Sequence, residues 1–559
     1  MIETSSSGGY HMVVKFSRRR PGQEPAREDA ATVNSLPPVS QRLLDKHAAR
    51  VLSPSDAVAA AGWPAPRATV YRTGVLLIPA DIVNNREVFA VIQRILARIG
   101  LEAVVPGQGG DTKRPFQLDT LPLPVALRVR AEAPPTVVDS WTALQYLRAA
   151  TAGKQPELDR KVVTRISVEH LLFTNPTIGG VPWDVSGLSG TPWDVSGIST
   201  GASYGRSRTG NRIPVALSAT PPPRRDLDPS ALARRPVVAV LDTGIAPHPW
   251  FDLPDRTNPP PVGGFLAVAP DVQNAILQAQ LATGITVPTQ LLGDHWDAPS
   301  TDEPLIGDID TDTGHGIFIA GVLRQAAPDV DTLAIRCVHS DGVAYEADVL
   351  LALTMLSARV QAAQQNQQPD DMIDVLSLSL GYFDETPADA AYTSQLSDIL
   401  AELTGLGVVV LAAAGNSATS RRFYPAAFAD QPPVSGGGPQ VISVGALNPN
   451  GSKALFSNEA PWVHAWATGA GVVSTYPTDV RGSSAADHEL PDQNRNGLDP
   501  DDYTSGFAVW DGTSFAAPLA AAALANALIS VAANDSALSL LSVDQTTAVK
   551  RAWAALALV

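Results

Sequence analysis

The sequence predicts an α/β protein in two parts: a large domain built on a central parallel sheet and, ahead of it, a smaller α+β domain. Three observations carry that expectation. The second half holds short, Val-rich apolar runs that end at turn residues, VVAVLDTG and VVVLAAAGN among them, as buried parallel strands do. The first half alternates strand-like runs with amphipathic ones. At 559 residues the chain is too long for one compact core.

Along the chain, MIETSSSGGYHM reads as an expression remnant with the native start at Met12, and residues 1–67 as a polar tail with one short helix near Gln41 to Leu52. Over residues 68–173, TGVLLIP is a strand, REVFAVIQRILARIG an amphipathic helix, and LEAVV and PVALRVRAE two more strands. VDSWTALQYLRAATA is a second helix and VVTRISVEHLLF a last strand. The order β-α-β-β-α-β is that of a ferredoxin-like unit. Residues 174–235 form a Gly, Pro and Ser-rich linker in which PWDVSG occurs twice, at Pro182–Gly187 and Pro192–Gly197, too few copies for a solenoid. Residues 236–559 form the large domain.

Composition narrows the partners. Hydrophobic residues make up 45% and charged residues 17%, the balance of a soluble globular chain. A net charge of −16 argues against nucleic acid as a partner. The single cysteine, Cys337, lies in the apolar run LAIRCV and is expected to be a buried structural thiol. No uninterrupted apolar run reaches the length of a membrane span; the Ala-rich segment from Phe515 comes nearest and is broken by Asn526. No membrane partner is expected. With no signal pattern at its start, the chain is expected in the cytoplasm, the alternative being secretion by a signal peptide absent from this sequence.

Four residues stand where chemistry would need them. Asp242 ends the apolar run that begins at Pro236, at the carboxyl edge of a parallel strand, where α/β sheets carry functional groups. His315 lies between Gly314 and Gly316 at the start of a helical run. Ser514 follows Gly512 and Thr513 and opens an Ala-rich helix, with Pro518 expected in its first turn. Asn416 follows a strand and a run of small residues that leaves open space beside it. Taken alone, each has a plain structural reading: a turn Asp, a packed His, a Ser helix cap, a turn Asn. Taken together they supply a weak nucleophile, its base, a group to hold the base, and a side-chain donor for a developing oxyanion.

The texts LDTGIA, GHG, AAAGN and GTSFAAP, in the order Asp, His, Asn, Ser, resemble the subtilisin family of serine proteases (subtilases) over roughly Pro236 to Asn534. The resemblance implies a subtilisin-like three-layer fold and a serine endopeptidase. Ser514 would attack the scissile carbonyl, His315 would take and return the proton, and Asp242 would orient the imidazole. Asn416 and the Ser514 N–H would bind the oxyanion. In LSLSLG, Ser379, Leu380 and Gly381 would pair with extended substrate; Asp341, Gly342, Val343 and Ala344 would form the opposite wall; Ala413, Gly415 and Phe423 would line the primary pocket. Two departures stand out. After GHG, where the family commonly has Thr-His-Val-Ala-Gly, this chain has Ile317, Phe318, Ile319, Ala320 and Gly321, so the first three differ. Phe423 stands before Tyr424 and Pro425, where the family often has a small residue, so it either shortens the pocket or turns into the core. The resemblance also implies that the N-terminal domain is a propeptide-like inhibitor or chaperone, since VEHLLF resembles the terminal strand of such domains. The competing readings are a latent binding scaffold and a peptide ligase or esterase using the same serine.

No cofactor is expected for the chemistry. Asp492, Asn494, Asn496 and Asp499 match the first half of a calcium-binding loop, although its twelfth position is Tyr503 where Glu is the usual ligand. Asp308, Asp310 and Asp312 precede His315 and read either as a solvated loop or as an acidic wall favouring a basic substrate residue.

Overall fold

The computed structural model describes residues 2–3, 13–16, 36, 39–107, 121–174, 212–228, 232–285, 287–299, 309–385, 390–480 and 503–559. The large domain is organised by a nine-stranded sheet. Seven of its strands run in the spatial order Leu266–Val268, Asp331–Arg336, Val237–Asp242, Val375–Leu378, Val409–Ala413, Ile442–Leu447 and Ala465–Thr468, with every neighbouring pair among them parallel; Val13–Phe16 and then Ile2–Glu3 add antiparallel at the far edge. Alternation along the strands builds the two faces. Val238, Val240, Leu411 and Ala413 join the core that contains the helices His315–Ala326 and Thr513–Asn534. Val237, Ala239, Leu241, Val410 and Ala412 join the core under Glu346–Asn366. A period of two thus divides each strand between two helical layers, giving the three-layer α/β arrangement.

Thr513–Asn534 is, among the described residues, the one helix long and apolar enough to cross a membrane, and 78% of its most apolar window is buried inside the protein. Asn526 faces a neighbour there, donating to the Ala326 carbonyl at 2.9 Å. The expected place of Pro518 needs correction. The helix begins at Thr513, so Pro518 sits inside it, beyond the first turn. Proline has no N–H to give to the carbonyl four residues back, which is that of Ser514. The Ser379 hydroxyl donates to that carbonyl at 2.9 Å.

The N-terminal unit is an antiparallel sheet with the order Ser167–Phe173, Thr69–Pro79, Pro122–Val129, Leu101–Val104. The helices Arg86–Ala97 and Ser140–Ala149 share its core. Asn85 and Asp139 cap them, accepting from the backbone N–H groups of Val88 and Thr142. The sequence expectation of a helix from Gln41 to Leu52 is half correct. The helix covers Gln41–Lys46 only. The chain then turns at Ala48, whose φ is 49°, and Ala49–Leu52 forms a strand paired with Thr69–Arg72. Residues ahead of Ala68 therefore contribute to this unit. Val13–Phe16, expected in a polar tail, pairs antiparallel with Ala465–Ala467 at the edge of the large sheet. The PWDVSG copies lie outside the described residues.

One strand pairs the two units directly. Ser167–Phe173, wholly buried, pairs on its outer edge with Val343–Tyr345 of the large domain.

Candidate active site

Asp242 is the last residue of its strand, and one oxygen, Oδ1, takes the Thr243 N–H and His315 Nδ1, each at 2.8 Å. His315 is the first residue of its helix, and its two glycine neighbours are demanded by close packing. A Cβ on Gly314, where φ is 81°, would lie 2.6 Å from Pro477 Cδ, and one on Gly316 would lie 2.2 Å from the Gly244 carbonyl oxygen. Burial by itself lowers the imidazole pKa, and it is the largest single effect; the charge and hydrogen bond of Asp242, together with the charges of Asp312 and Asp297, overcome it and hold His315 above the usual histidine range.

Asp297 was not suggested by the sequence, because HWD sits in a loop with no pattern. It is 1% exposed and accepts from Thr243 Oγ1 at 3.0 Å, from the Gly314 N–H at 2.6 Å and from Ser340 Oγ. One buried carboxylate thus ties the residue after Asp242 to the residue before His315.

Ser514 lies in the first turn of its helix, and the ring of its neighbour Phe515 is 5.2 Å from the His315 ring. The expected hydrogen bond between Ser514 and His315 is not made. Ser514 Oγ donates to the backbone carbonyl of Thr174 at 3.0 Å, and His315 Nε2 is buried with no hydrogen-bond partner. The hydroxyl is instead taken up by an acceptor from Thr174, the residue that follows the strand Ser167–Phe173. Asn416 is oriented through its oxygen, which accepts the N–H and the hydroxyl of Thr513, each at 2.8 Å, so its NH2 is the donor face. Gly415 N–H donates to the same Thr513 hydroxyl at 3.1 Å.

The two expected walls enclose the Ser167–Thr174 segment. Phe173 and Gly381 exchange both backbone bonds, at 2.8 and 3.0 Å, and Thr174 N–H donates to the Gly342 carbonyl at 3.0 Å. Val343 and Ala344 stand opposite Phe173 and Leu172. Leu172 is fully buried in the core that holds Leu380 and Ala344. Ser379 reaches the helix behind, as described. Ala413 is buried inside its strand. Phe423 is 2% exposed, and its ring takes the space between two glycines: a Cβ on Gly381 would be 2.5 Å from its Cε1, and one on Gly415 3.1 Å from its Cδ1. The ring is buried and occupies the ground between Gly381 and Gly415.

Asp310 and Asp312, the described acids of that loop, are buried. Lys46 Nζ bonds Asp310 and Asp341 at 2.9 and 2.8 Å, His47 Nε2 meets Asp341 at 2.9 Å, and Asp312 accepts from Thr174 Oγ1. Asp308 and the calcium candidates Asp492, Asn494, Asn496 and Asp499 lie outside the described residues. Cys337 is fully buried, and burial pushes its thiol well up.

A second histidine, also missed, sits on the inserted strand. His170 is 1% exposed, with Nδ1 at 2.7 Å from Glu346 and Nε2 on Glu385, and its ring stacks on Tyr382 at 4.5 Å. Burial alone would lower its pKa, but the charges of Glu385 and Glu346 raise it well above the ordinary value. In VEHLLF nothing marks this residue, because its partners come from distant segments.

Comparison with known proteins places the large domain in a family. The sequence profile of the subtilase family matches residues 233–552. Subtilisin DY of Bacillus licheniformis is 28% identical over 236 residues, 38% of this chain and 76% of that protein. The serine protease AprX of Bacillus subtilis (strain 168) is 27% identical over 297 residues, 51% of this chain and 54% of that protein. The thermophilic serine proteinase of Bacillus sp. (strain AK1) is 29% identical over 171 residues, 29% of this chain and 35% of that protein. The chain thus spans about three quarters of the first relative, about half of the second and about a third of the third.

Proposed function

The chain belongs to the subtilase family of serine proteases, and on that premise we propose that it is an endopeptidase with Ser514 as nucleophile, held inactive by its own N-terminal unit. In this reading His315 Nε2 takes the Ser514 proton as Oγ bonds to the scissile carbonyl carbon. Asp242 holds the imidazole and stabilises its charged form. The oxyanion is met by the Asn416 NH2 and the Ser514 N–H. Collapse of that intermediate breaks the C–N bond, and the proton on His315 passes to the leaving amine. Water, activated by the same imidazole, then releases the acyl group. Subtilases need no cofactor for these steps.

One observation carries the proposal of self-inhibition. The run ending at Thr174 lies as a strand between Gly342–Tyr345 and Gly381, with the Ser514 hydroxyl on its last described carbonyl. Extended peptide between two walls is how main-chain bonds give affinity and side-chain pockets give choice. We further propose that Phe423 shortens the primary pocket and that Leu172 marks an apolar subsite.

Fluorophosphonate labelling tests the reading. Wild-type protein freed of its N-terminal unit should label at Ser514 and hydrolyse peptides, and Ser514→Ala should do neither. The tight seating of the inserted strand favours one alternative, a permanently latent binding scaffold. Wild-type protein that never labels, in any processed form, would support that alternative.

A further inference from the structure

We propose that Asp312 is a specificity-determining residue that selects a hydroxyl side chain, threonine or serine, at the substrate position now filled by Thr174. The proposal rests on the endopeptidase reading and deepens it.

The seat is built from three directions. Thr174 Oγ1 donates to Asp312 Oδ1 at 2.9 Å and lies 3.3 Å from the Gly342 carbonyl oxygen. Asp312 Oδ2 accepts from Thr311 Oγ1 at 2.9 Å, and the Asp312 N–H donates to the Ser340 carbonyl at 2.8 Å. The carboxylate is therefore held by its own chain through one oxygen and presents the other to the occupant. Both side chains are enclosed, Asp312 at 1% and Thr174 at 3% exposure.

The floor of the seat is backbone. Gly342 has a φ of 84°, and a Cβ there would fall 2.5 Å from Asp312 Oδ2 and 2.8 Å from Thr174 Oγ1. The Gly342 backbone thus closes one side of the seat against the occupant's hydroxyl. Asp310 and Asp341, the other acids of this wall, already pair with Lys46. What Asp312 Oδ1 asks of its occupant is one donor at short reach. Valine has the shape of threonine without that donor, and it would leave a buried carboxylate oxygen unpaired.

The test uses peptides with the chain's own residues 168–180, carrying Thr, Ser, Val or Lys at position 174, and the N-terminally processed protein. We expect kcat/KM for Thr and Ser to exceed that for Val by about 10- to 100-fold. Asp312→Ala should shrink the ratio to about threefold or less. Because Asp312 lies close to His315, the reading is the ratio within each enzyme and not the absolute rate. Equal rates for Thr and Val, a preference for Lys, or an unchanged ratio in Asp312→Ala would each overturn the proposal while leaving the protease reading intact. The wild-type ratio decides the matter even where the variant does not fold. Cleavage of none of the peptides would bring down the endopeptidase reading, and this proposal with it.

Discussion

Ser379 Oγ donates to the Ser514 carbonyl at 2.9 Å, replacing the helical N–H that Pro518 lacks. A residue of the groove wall is thereby fastened to the backbone of the proposed nucleophile. Ser379→Ala would leave that buried carbonyl without this donor, which costs about 1–3 kcal/mol. We expect a lower Tm together with a fall in kcat larger than any change in KM. A variant as stable and as active as wild type would show that the bond positions nothing.

Phe423 sets the second prediction. Phe423→Gly should open the ground between Gly381 and Gly415, shifting cleavage toward bulky residues in a peptide library. Removing a buried ring of this size also costs about 3–5 kcal/mol, so denaturation must be followed alongside. A folded variant with unchanged specificity would return Phe423 to a purely structural role.

His170 makes the seating of the N-terminal unit depend on pH. Its pKa is raised in the folded protein by Glu385 and Glu346. The stabilisation is therefore fully present below the unfolded histidine value of about 6.5 and is lost as pH rises through the higher folded value. Protection of the Ser167–Phe173 amides, corrected for the intrinsic exchange rate at each pH, should be greatest near and below about pH 6.5 and should fall at alkaline pH. His170→Gln should flatten the alkaline fall. Protection that grows with pH would contradict the assignment.

Asp297 should act through its neighbours. Its charge contributes to the raised pKa of His315, and its oxygens hold Thr243 and Gly314. Asp297→Asn keeps acceptor capacity and removes charge. The His315 pKa should then fall, moving the acidic limb of the kcat/KM profile to lower pH. An unmoved limb with reduced kcat would assign Asp297 to packing alone.

The sequence made the large domain legible because its strands are buried on both faces and end at turn residues, as at Asp242. The glycines around His315 marked a tight contact, and the coordinates supply the groups that crowd it. Pro518 was misplaced because the helix begins at a Gly-Thr step with no side-chain cap to mark it. The 41–52 helix was overextended because its turn falls at Ala48, with no glycine to announce a positive φ. The acceptor of the Ser514 hydroxyl was invisible, since Thr174 is 340 residues away in the chain and acts through its backbone. The same holds for His170, Glu346 and Glu385, which become a clamp only when the inserted strand brings them together.

The proposed function turns on whether Ser514 acts on the chain that fills its own groove. Intact mass measured over time on purified wild-type and Ser514→Ala protein tests it most directly. Wild type should separate into an N-terminal fragment ending near Thr174 and a catalytic fragment, while Ser514→Ala stays whole. Identical masses for the two proteins throughout, or the same fragments from both, would contradict it.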